Sequence, residues 1–436
     1  MGKNDSNMRA SRMLFLSVFH VIISLISAEG KNDGRYYYQN SVYKEEIKSV
    51  QMYLDGNELS NPVMELNGNA PLVLKFDDLS AKAKDYSYTI IHCDANWNES
   101  ILMQNEYLEG FPDNPLNDYA FSINATVAYV NYRLEIPNQE TKLKYSGNYV
   151  VVVFEDKDKE KLVLVKRFHV LEPLARIEGQ VKRATFDPFK GSNHEVDFDV
   201  YTGSLRVQNP HEEVKVVVSQ NRRWDNAIRN LKPLFIRDRV LSYDYNKENV
   251  FPAGNEFRYF DIRTNRFPGE NVESIKFHRP YYHATLLIDE MRSNKKFFSY
   301  KEMNGNYTVE SQDRVQDFDT ECDYTFVHFT LPLPVPLVGG SVNVFGALTD
   351  WNANKSNQMT WNPQTAAYEL TLLLKQGYYN YQYVYVPAGS PVADAVNIEG
   401  SFYETENDYQ IFVYFKGMGD RYDRLVGFQE LNSANR

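Results

Sequence analysis

Apolar and polar residues alternate with a period of two along much of this chain. The runs APLVLKFD (70–77), GNYVVVVF (147–154), LVLVKRFHV (162–170), EVKVVVS (213–219), EFRYFDIR (256–263), DYTFVHFTL (323–331) and YYNYQYVYV (378–386) read as strands with one or both faces buried. The 32 tyrosines and 26 phenylalanines supply side chains that suit a pleated, half-buried surface. Long amphipathic helical patterns are scarce. Turn chemistry separates the runs, at Asp55-Gly56, Ser146-Gly147, Gly191-Ser192, Asn304-Gly305 and Gly339-Gly340. The charged run EDKDKEK (155–161) lies between two strong strand patterns and predicts a solvated hairpin tip. The predicted class is all-β, built from serial immunoglobulin-like β-sandwich modules.

A coarse repeat sets the number of modules. Trp97, Trp224 and Trp351 fall at equal intervals, each just after a strand-like run and each beside Asn or Asp. That pattern predicts three sandwiches, each with an aromatic near the end of an early strand. Tyr149 in SGNYVV and Tyr307 in NGNYTV read as corner tyrosines whose hydroxyls cap a loop. The predicted division is 1–30, 31–173, 174–312 and 313–436, with one boundary at Glu172-Pro173 and the next in the acidic stretch 311–323. Asp313, Asp317, Asp319, Glu321 and Asp323 read as a solvated linker. Their spacing matches no calcium-loop signature and lacks a turn glycine.

The first segment is a targeting signal. Lys3, Arg9 and Arg12 precede the uncharged run MLFLSVFHVIISLISA (13–28), and Ala28-Glu29-Gly30 supplies a small-x-small cleavage pattern. The run is shorter than the roughly 20 apolar residues of a spanning helix. The expectation is an exported, soluble protein. The net charge of −11 is spread along the chain with no basic stripe, which argues against a nucleic-acid partner. Cys93 and Cys322 form no disulfide framework and read as buried single thiols.

Catalytic signatures are missing. The sequence holds no HExxH, CxxC, GxSxG, P-loop or GxGxxG pattern. HRPYYH (278–283) reads as a loop, so no metal site and no cofactor is assigned. No carboxylate pair stands out among the 58 acidic residues, so no catalytic residue is assigned and a non-enzyme is expected. Interfaces favour aromatic residues and arginine at their cores, which makes Arg223, Trp224, Tyr281, Tyr282, Tyr378 and Tyr379 candidate partner contacts. In FTLPLPVPLVGG (329–340) the prolines bar a regular central strand. If exposed, Leu333, Val335 and Leu337 would form an apolar docking patch.

Two resemblances extend this reading. Residues 342–386 are similar to the glycogen-binding, early-set sandwich pattern, which would make Trp351 a sugar platform. The usual lysine of the last aromatic strand is Gln382 here, and the second platform tryptophan is absent from PAGSPVAD. This gives the alternative reading, an exported carbohydrate-binding protein. The phrases IIHCDANWNES (90–100), EYLEGFPDNPLNDYAFSINATVAYVNYRLEIPN (106–138), FPAGNEFRYFDIR (251–263) and KQGYYNYQYVYV (375–386) resemble the type IX secretion system plug protein family. That resemblance spans about residue 40 to about 430. It implies a periplasmic all-β protein that associates with the large outer-membrane barrel of the type IX translocon and closes its periplasmic mouth. It supplies no list of contact residues.

Overall fold

Antiparallel strands joined by short turns dominate the computed structural model, which describes residues 38–313 and 315–434. The expected signal peptide lies outside the described residues. No helix among the described residues is long and apolar enough to cross a membrane.

The first sandwich pairs two sheets. One runs Ser41–Val42, Leu162–Leu171, Gly147–Glu155, Tyr86–Cys93 and Asp113–Pro115, with Val63–Glu65 added in parallel to Leu162–Leu171. The other runs Ile47–Leu54, Leu72–Asp78, Val130–Ile136 and Tyr119–Phe121. Leu74, Phe76 and Tyr132 of the second sheet meet Tyr149, Val151 and Val153 of the first. On the back of Gly147–Glu155, Val150, Val152 and Phe154 pack with Cys93, Trp97 and Val165. The strand is therefore covered on both faces, which explains why its sequence is a continuous apolar run rather than an alternating one. The run 155–161 forms the turn between Gly147–Glu155 and Leu162–Leu171, as its charge predicts.

The second sandwich faces Arg176–Arg183, Asn193–Tyr201, Val240–Tyr243 and Phe235–Arg237 against Ile228–Arg229, Val214–Gln220, Asp408–Phe415 and Arg424–Asn432. Its core joins Val196, Phe198 and Val200 to Val216, Val218, Ile411 and Val413. The hydrogen bonds thus cross the expected 313–436 division. Val214 pairs with Phe415 and Gln220 with Tyr409, so the last two strands join residues from the middle of the chain. A strand pattern reveals its buried faces but not its partner, and no local signal marks this return.

The third sandwich lies between those halves in sequence. Arg258–Asp261, Gly377–Pro387, Tyr307–Val309 and Gly340–Phe345 form one layer. Val272–His278, Tyr281–Leu286, Tyr324–Pro332, Ala367–Lys375 and Thr360–Asn362 form the other. Phe260, Val327, Phe329, Val344 and Tyr381 fill the space between them. HRPYYH is a hairpin, not an open loop: His278 pairs with Tyr281 across the turn.

Corner tyrosines occur in two sandwiches. Tyr149 Oη donates to the Tyr145 carbonyl at 2.8 Å, four residues back. Tyr307 does not take that role. Its ring stacks on Tyr379 at 5.0 Å, and Tyr379 Oη donates to the Lys375 carbonyl at 2.6 Å. Each hydroxyl satisfies a loop carbonyl, so Tyr149→Phe and Tyr379→Phe are each expected to lower stability by about 1 kcal/mol. Shifts in the urea midpoint will measure this.

Both cysteines are free and buried. Burial pushes the Cys322 thiol up to about 12, so it stays protonated at neutral pH. Residues 315–323, on the third sandwich, lie against the first. Asp317 caps the short helix Phe318–Glu321 by accepting from Asp319 N, Asp319 pairs with Lys75 at 2.6 Å, and Asp313 pairs with Arg266 at 2.9 Å. Thr126 N and Oγ1 donate to Asp323 Oδ1 at 2.6 and 2.9 Å.

Candidate partner surfaces and the seam between sandwiches

The three tryptophans converge on one seam. Asp94 accepts from the backbone N–H groups of Asn96 and Asn98, forming a tight turn that carries Trp97 at φ 67°. Trp97 meets Trp224 edge to face at 5.2 Å. His169 stacks on Phe412 at 4.6 Å and on Trp224 at 5.7 Å. The Arg167 guanidinium lies 4.3 Å from the Trp97 ring centre, a cation–π contact in a desolvated setting. Burial pushes Arg167 down to about 9, which leaves it charged at neutral pH, and pushes His169 down to about 3, which leaves it neutral. Lys166 pairs with Asp350 at 2.6 Å, tying the first sandwich to the turn that carries Trp351. A cavity of about 110 Å³ lies between Trp224 and Trp351, lined by residues that include Lys166, His169, Arg222 and Asp350.

A second tie joins the first and third sandwiches. Lys375 Nζ lies 2.6 Å from Asp77 Oδ2, with both side chains excluded from solvent. Tyr324 Oη donates to the same oxygen at 2.6 Å, and Asn131 Nδ2 donates to Asp77 Oδ1 at 2.7 Å. Lys375 also sits 4.4 Å from the Tyr129 ring centre. These contacts hold separate sandwiches in one arrangement.

Glu256 and Glu302 lie close to one another, with Glu406 also near. Burial, and then the Glu256 carboxylate, push Glu302 up to about 8; burial pushes Glu256 up to about 7. Both ordinary values are 4.5, so the folded chain holds these protons more tightly than the unfolded chain. Their contribution is complete below pH 4.5 and is lost as pH rises through 7 to 8. Glu302→Gln is therefore expected to flatten the fall in melting temperature over this range and to melt above wild type at the alkaline end. Parallel pH profiles for the two proteins would contradict the assignment.

The candidate contacts fall into buried and exposed sets. Arg223 is 7% exposed, pairs with Asp225 at 2.7 Å and donates to the Ala393 carbonyl. Tyr379 is buried between Phe260 and Tyr307, and Leu333 is in the third core. Trp224 belongs to the seam, and Tyr378 is half-buried against Tyr259. Leu337 is half-buried, its backbone N–H donating to Tyr368 Oη. Tyr281 and Tyr282 are half-buried on the hairpin, while Val335 is 68% exposed. Trp351 is gripped edge to face by Phe257 and Phe345 at 5.9 and 5.6 Å.

Sequence reasoning missed one apolar surface. Tyr119, Phe121 and Ile123 are exposed on and just beyond the edge strand Tyr119–Phe121, next to exposed Phe318. Their period-two spacing was a usable signal, but it reads equally as a buried strand face. Only the sheet order shows that the strand is an edge.

Comparison with known proteins adds identity to this geometry. A family profile described as the type 9 secretion system plug protein 1st domain matches residues 47–172. A solved structure described as the crystal structure of a hypothetical protein from Parabacteroides merdae ATCC 43184 superposes with a TM-score of 0.88 at 36% identity, covering 91% of this chain and 99% of that one. A Pseudomonas fluorescens alkylpurine DNA glycosylase AlkC, bound to DNA containing an abasic site analog, aligns at 15% identity with a TM-score of 0.17, over 29% of this chain and 30% of that one; this overlap carries no argument. No curated protein matches the chain. The chain therefore belongs to one family with the Parabacteroides merdae protein, and its residues 47–172 match the type 9 secretion system plug protein 1st domain.

Proposed function

We propose that this protein is a non-enzymatic plug subunit that sits in the periplasm, binds the large outer-membrane barrel of the type IX translocon and seals its periplasmic opening. The observation that carries this reading is the plug-domain match over residues 47–172. The fold supports it physically. A wide barrel lumen stays open to small solutes unless rigid bulk fills its mouth. Three sandwiches tied by the tryptophan seam and the buried Lys375–Asp77 pair supply such bulk. The packing of Trp351 against Phe257 and Phe345 supports this reading over carbohydrate binding.

The surfaces offered to the barrel are Val335 with neighbouring Val338, Tyr281 and Tyr282 on the hairpin, and Tyr119, Phe121 and Ile123 on the first-sandwich edge. Val335 and Val338 are 68% and 85% exposed, the kind of apolar display that marks a partner site. The test is mild-detergent purification of the tagged protein from native envelopes, with mass spectrometry of what co-purifies. A very large outer-membrane barrel in near-equal amount is expected, and deleting the protein should let small solutes cross the outer membrane. Val335→Asp with Val338→Asp is expected to reduce barrel recovery about tenfold, the loss of roughly 1.4 kcal/mol of binding. Recovery of the protein alone would overturn the reading.

A further inference from the structure

We infer that the outward face of the third sandwich binds one borderline divalent transition metal ion, of the copper(II), nickel or zinc class, through His283 and His328 with His278 as the completing ligand. The three histidines lie on adjoining strands of a single sheet: His278 on Val272–His278, His283 on Tyr281–Leu286 and His328 on Tyr324–Pro332. The last two strands run parallel, with His283 opposite Phe326 and Thr285 opposite His328, so the two imidazoles form a diagonal cross-strand pair. The intervening Ala284 and Val327 are fully buried in the core, which fixes the strands that carry them.

The separation suits a shared ion once each imidazole turns about its side-chain bonds; as the rings stand, with their centres 5.3 Å apart, they meet end to end. His283 Nδ1 and His328 Nε2 are 3.0 Å apart, and the ring planes are within 12° of parallel. Two nitrogens held about 2.0–2.1 Å from one metal, at angles between square-planar and tetrahedral, lie roughly 2.9–3.4 Å apart. Without an ion, the same separation accommodates a single N–H···N hydrogen bond. On the far side, His328 Nδ1 lies 2.9 Å from Thr371 Oγ1. Donation to that hydroxyl fixes the tautomer and leaves the Nε2 lone pair directed at His283, the arrangement seen where an outer hydrogen bond orients a metal-binding imidazole. His278 is exposed and edge-on to His283 at 5.2 Å between ring centres, so rotation about its side-chain bonds brings it to the same ion. Water completes the coordination.

The electrostatics agree. Burial and then His278 push His283 below the usual imidazole range, and burial and then His283 do the same to His328. Burial and the neighbouring rings thus disfavour the protonated forms of His283 and His328. The nearby charged groups on this face are Lys276, opposite His283, and Glu369, which already accepts from Asn362 and Thr365. An all-imidazole set discriminates against calcium and magnesium, which take oxygen ligands. The sequence hid the site because His328 comes from a strand far from HRPYYH.

The experiment is calorimetric titration of the chelator-stripped, tag-free full chain with copper(II), nickel, zinc and calcium salts. One transition-metal ion per chain is expected, with copper bound most tightly, no calcium uptake, and weaker binding at about pH 5.5 than at about pH 7.5 because protons compete for the imidazoles. His283→Ala and His328→Ala are each expected to weaken binding at least ~30-fold, and Thr371→Ala about tenfold. Copper(II) electron paramagnetic resonance of the native chain reads the site without any variant and is expected to show imidazole nitrogen coupling. Absence of saturable binding, absence of nitrogen coupling, or full affinity in folded His283→Ala and His328→Ala proteins would overturn the proposal.

Discussion

Lys375→Met is expected to lower the unfolding free energy by about 3–5 kcal/mol. Both partners of the Lys375–Asp77 pair are buried, the side chains 2% and 0% exposed. Removing the cation leaves the Asp77 charge to the Tyr324 and Asn131 donors. An uncompensated carboxylate costs several kcal/mol in that setting, far more than the packing change from lysine to methionine. Adding Asp77→Asn to Lys375→Met should restore part of the loss, since the second change removes the stranded charge. The urea midpoint followed by tryptophan fluorescence reads the stability, and hydrogen exchange at Leu72–Asp78 reads whether the seam itself has opened. A loss below about 1 kcal/mol would show that the pair contributes no more than a surface contact. If the proposed plug works as one rigid body, this variant should also leak solute at a stability where other destabilised variants do not.

Glu399→Gln is expected to cost a similar amount, about 3–5 kcal/mol, with a distinctive pH signature. The Glu399 carboxylate is fully buried in the third sandwich. It accepts from Arg258 Nε and Nη2 at 3.0 Å, from Arg292 Nε at 2.7 Å and from the Tyr383 backbone N–H at 2.8 Å. Arg258 extends the network to Asp289 at 2.6 Å, which Tyr381 and Tyr383 also bond. Burial pushes the Glu399 carboxyl up, but the two guanidiniums outweigh it and hold the group at about 2, below the ordinary 4.5. A carboxyl depressed by folding stabilises the protein above its unfolded value, and that contribution drains away as pH falls from 4.5 toward 2. Wild type should therefore lose melting temperature across that window more steeply than Glu399→Gln, whose amide does not titrate. Equal slopes would mean that the arginines do not depend on this carboxylate.

The strands were legible wherever burial is local. The runs 147–154, 162–170, 213–219 and 378–386 all became strands, because side chains of a pleated ribbon report directly on the faces they cover. The turn at 155–161 followed from its charge. Tyr149 met its expected hydroxyl role, whereas Tyr307 yielded that role to Tyr379, since either ring fits the same turn and only packing chooses. Most of the site chemistry was not legible. Arg223 looked like a surface anchor because arginine beside tryptophan is common at interfaces, yet Asp225, only two residues away, neutralises it inside the chain. Asp77 and Lys375 meet only after two sandwiches dock, and neither has a neighbour in sequence that announces the pair. The histidine pair failed for the same reason, its members standing on strands brought together by a parallel crossover.

The return of Asp408–Phe415 to Val214–Gln220 has a consequence for how the chain is made. The second sandwich cannot close when its own first strands leave the ribosome. Its Val214–Gln220 strand must wait while the third sandwich, inserted between its halves, is synthesised and can already condense on local contacts. Bringing the distant strands together then costs less entropy, because a folded insert holds its two ends in place in a way that a free loop of the same length does not. Until that moment the apolar side chains Val216 and Val218 and an unpaired strand edge stay open, the state in which nascent β-proteins are most prone to associate wrongly. The protein thus completes its middle last, and a chain that stops short of residue 408 exposes an unfinished sheet rather than losing only a tail.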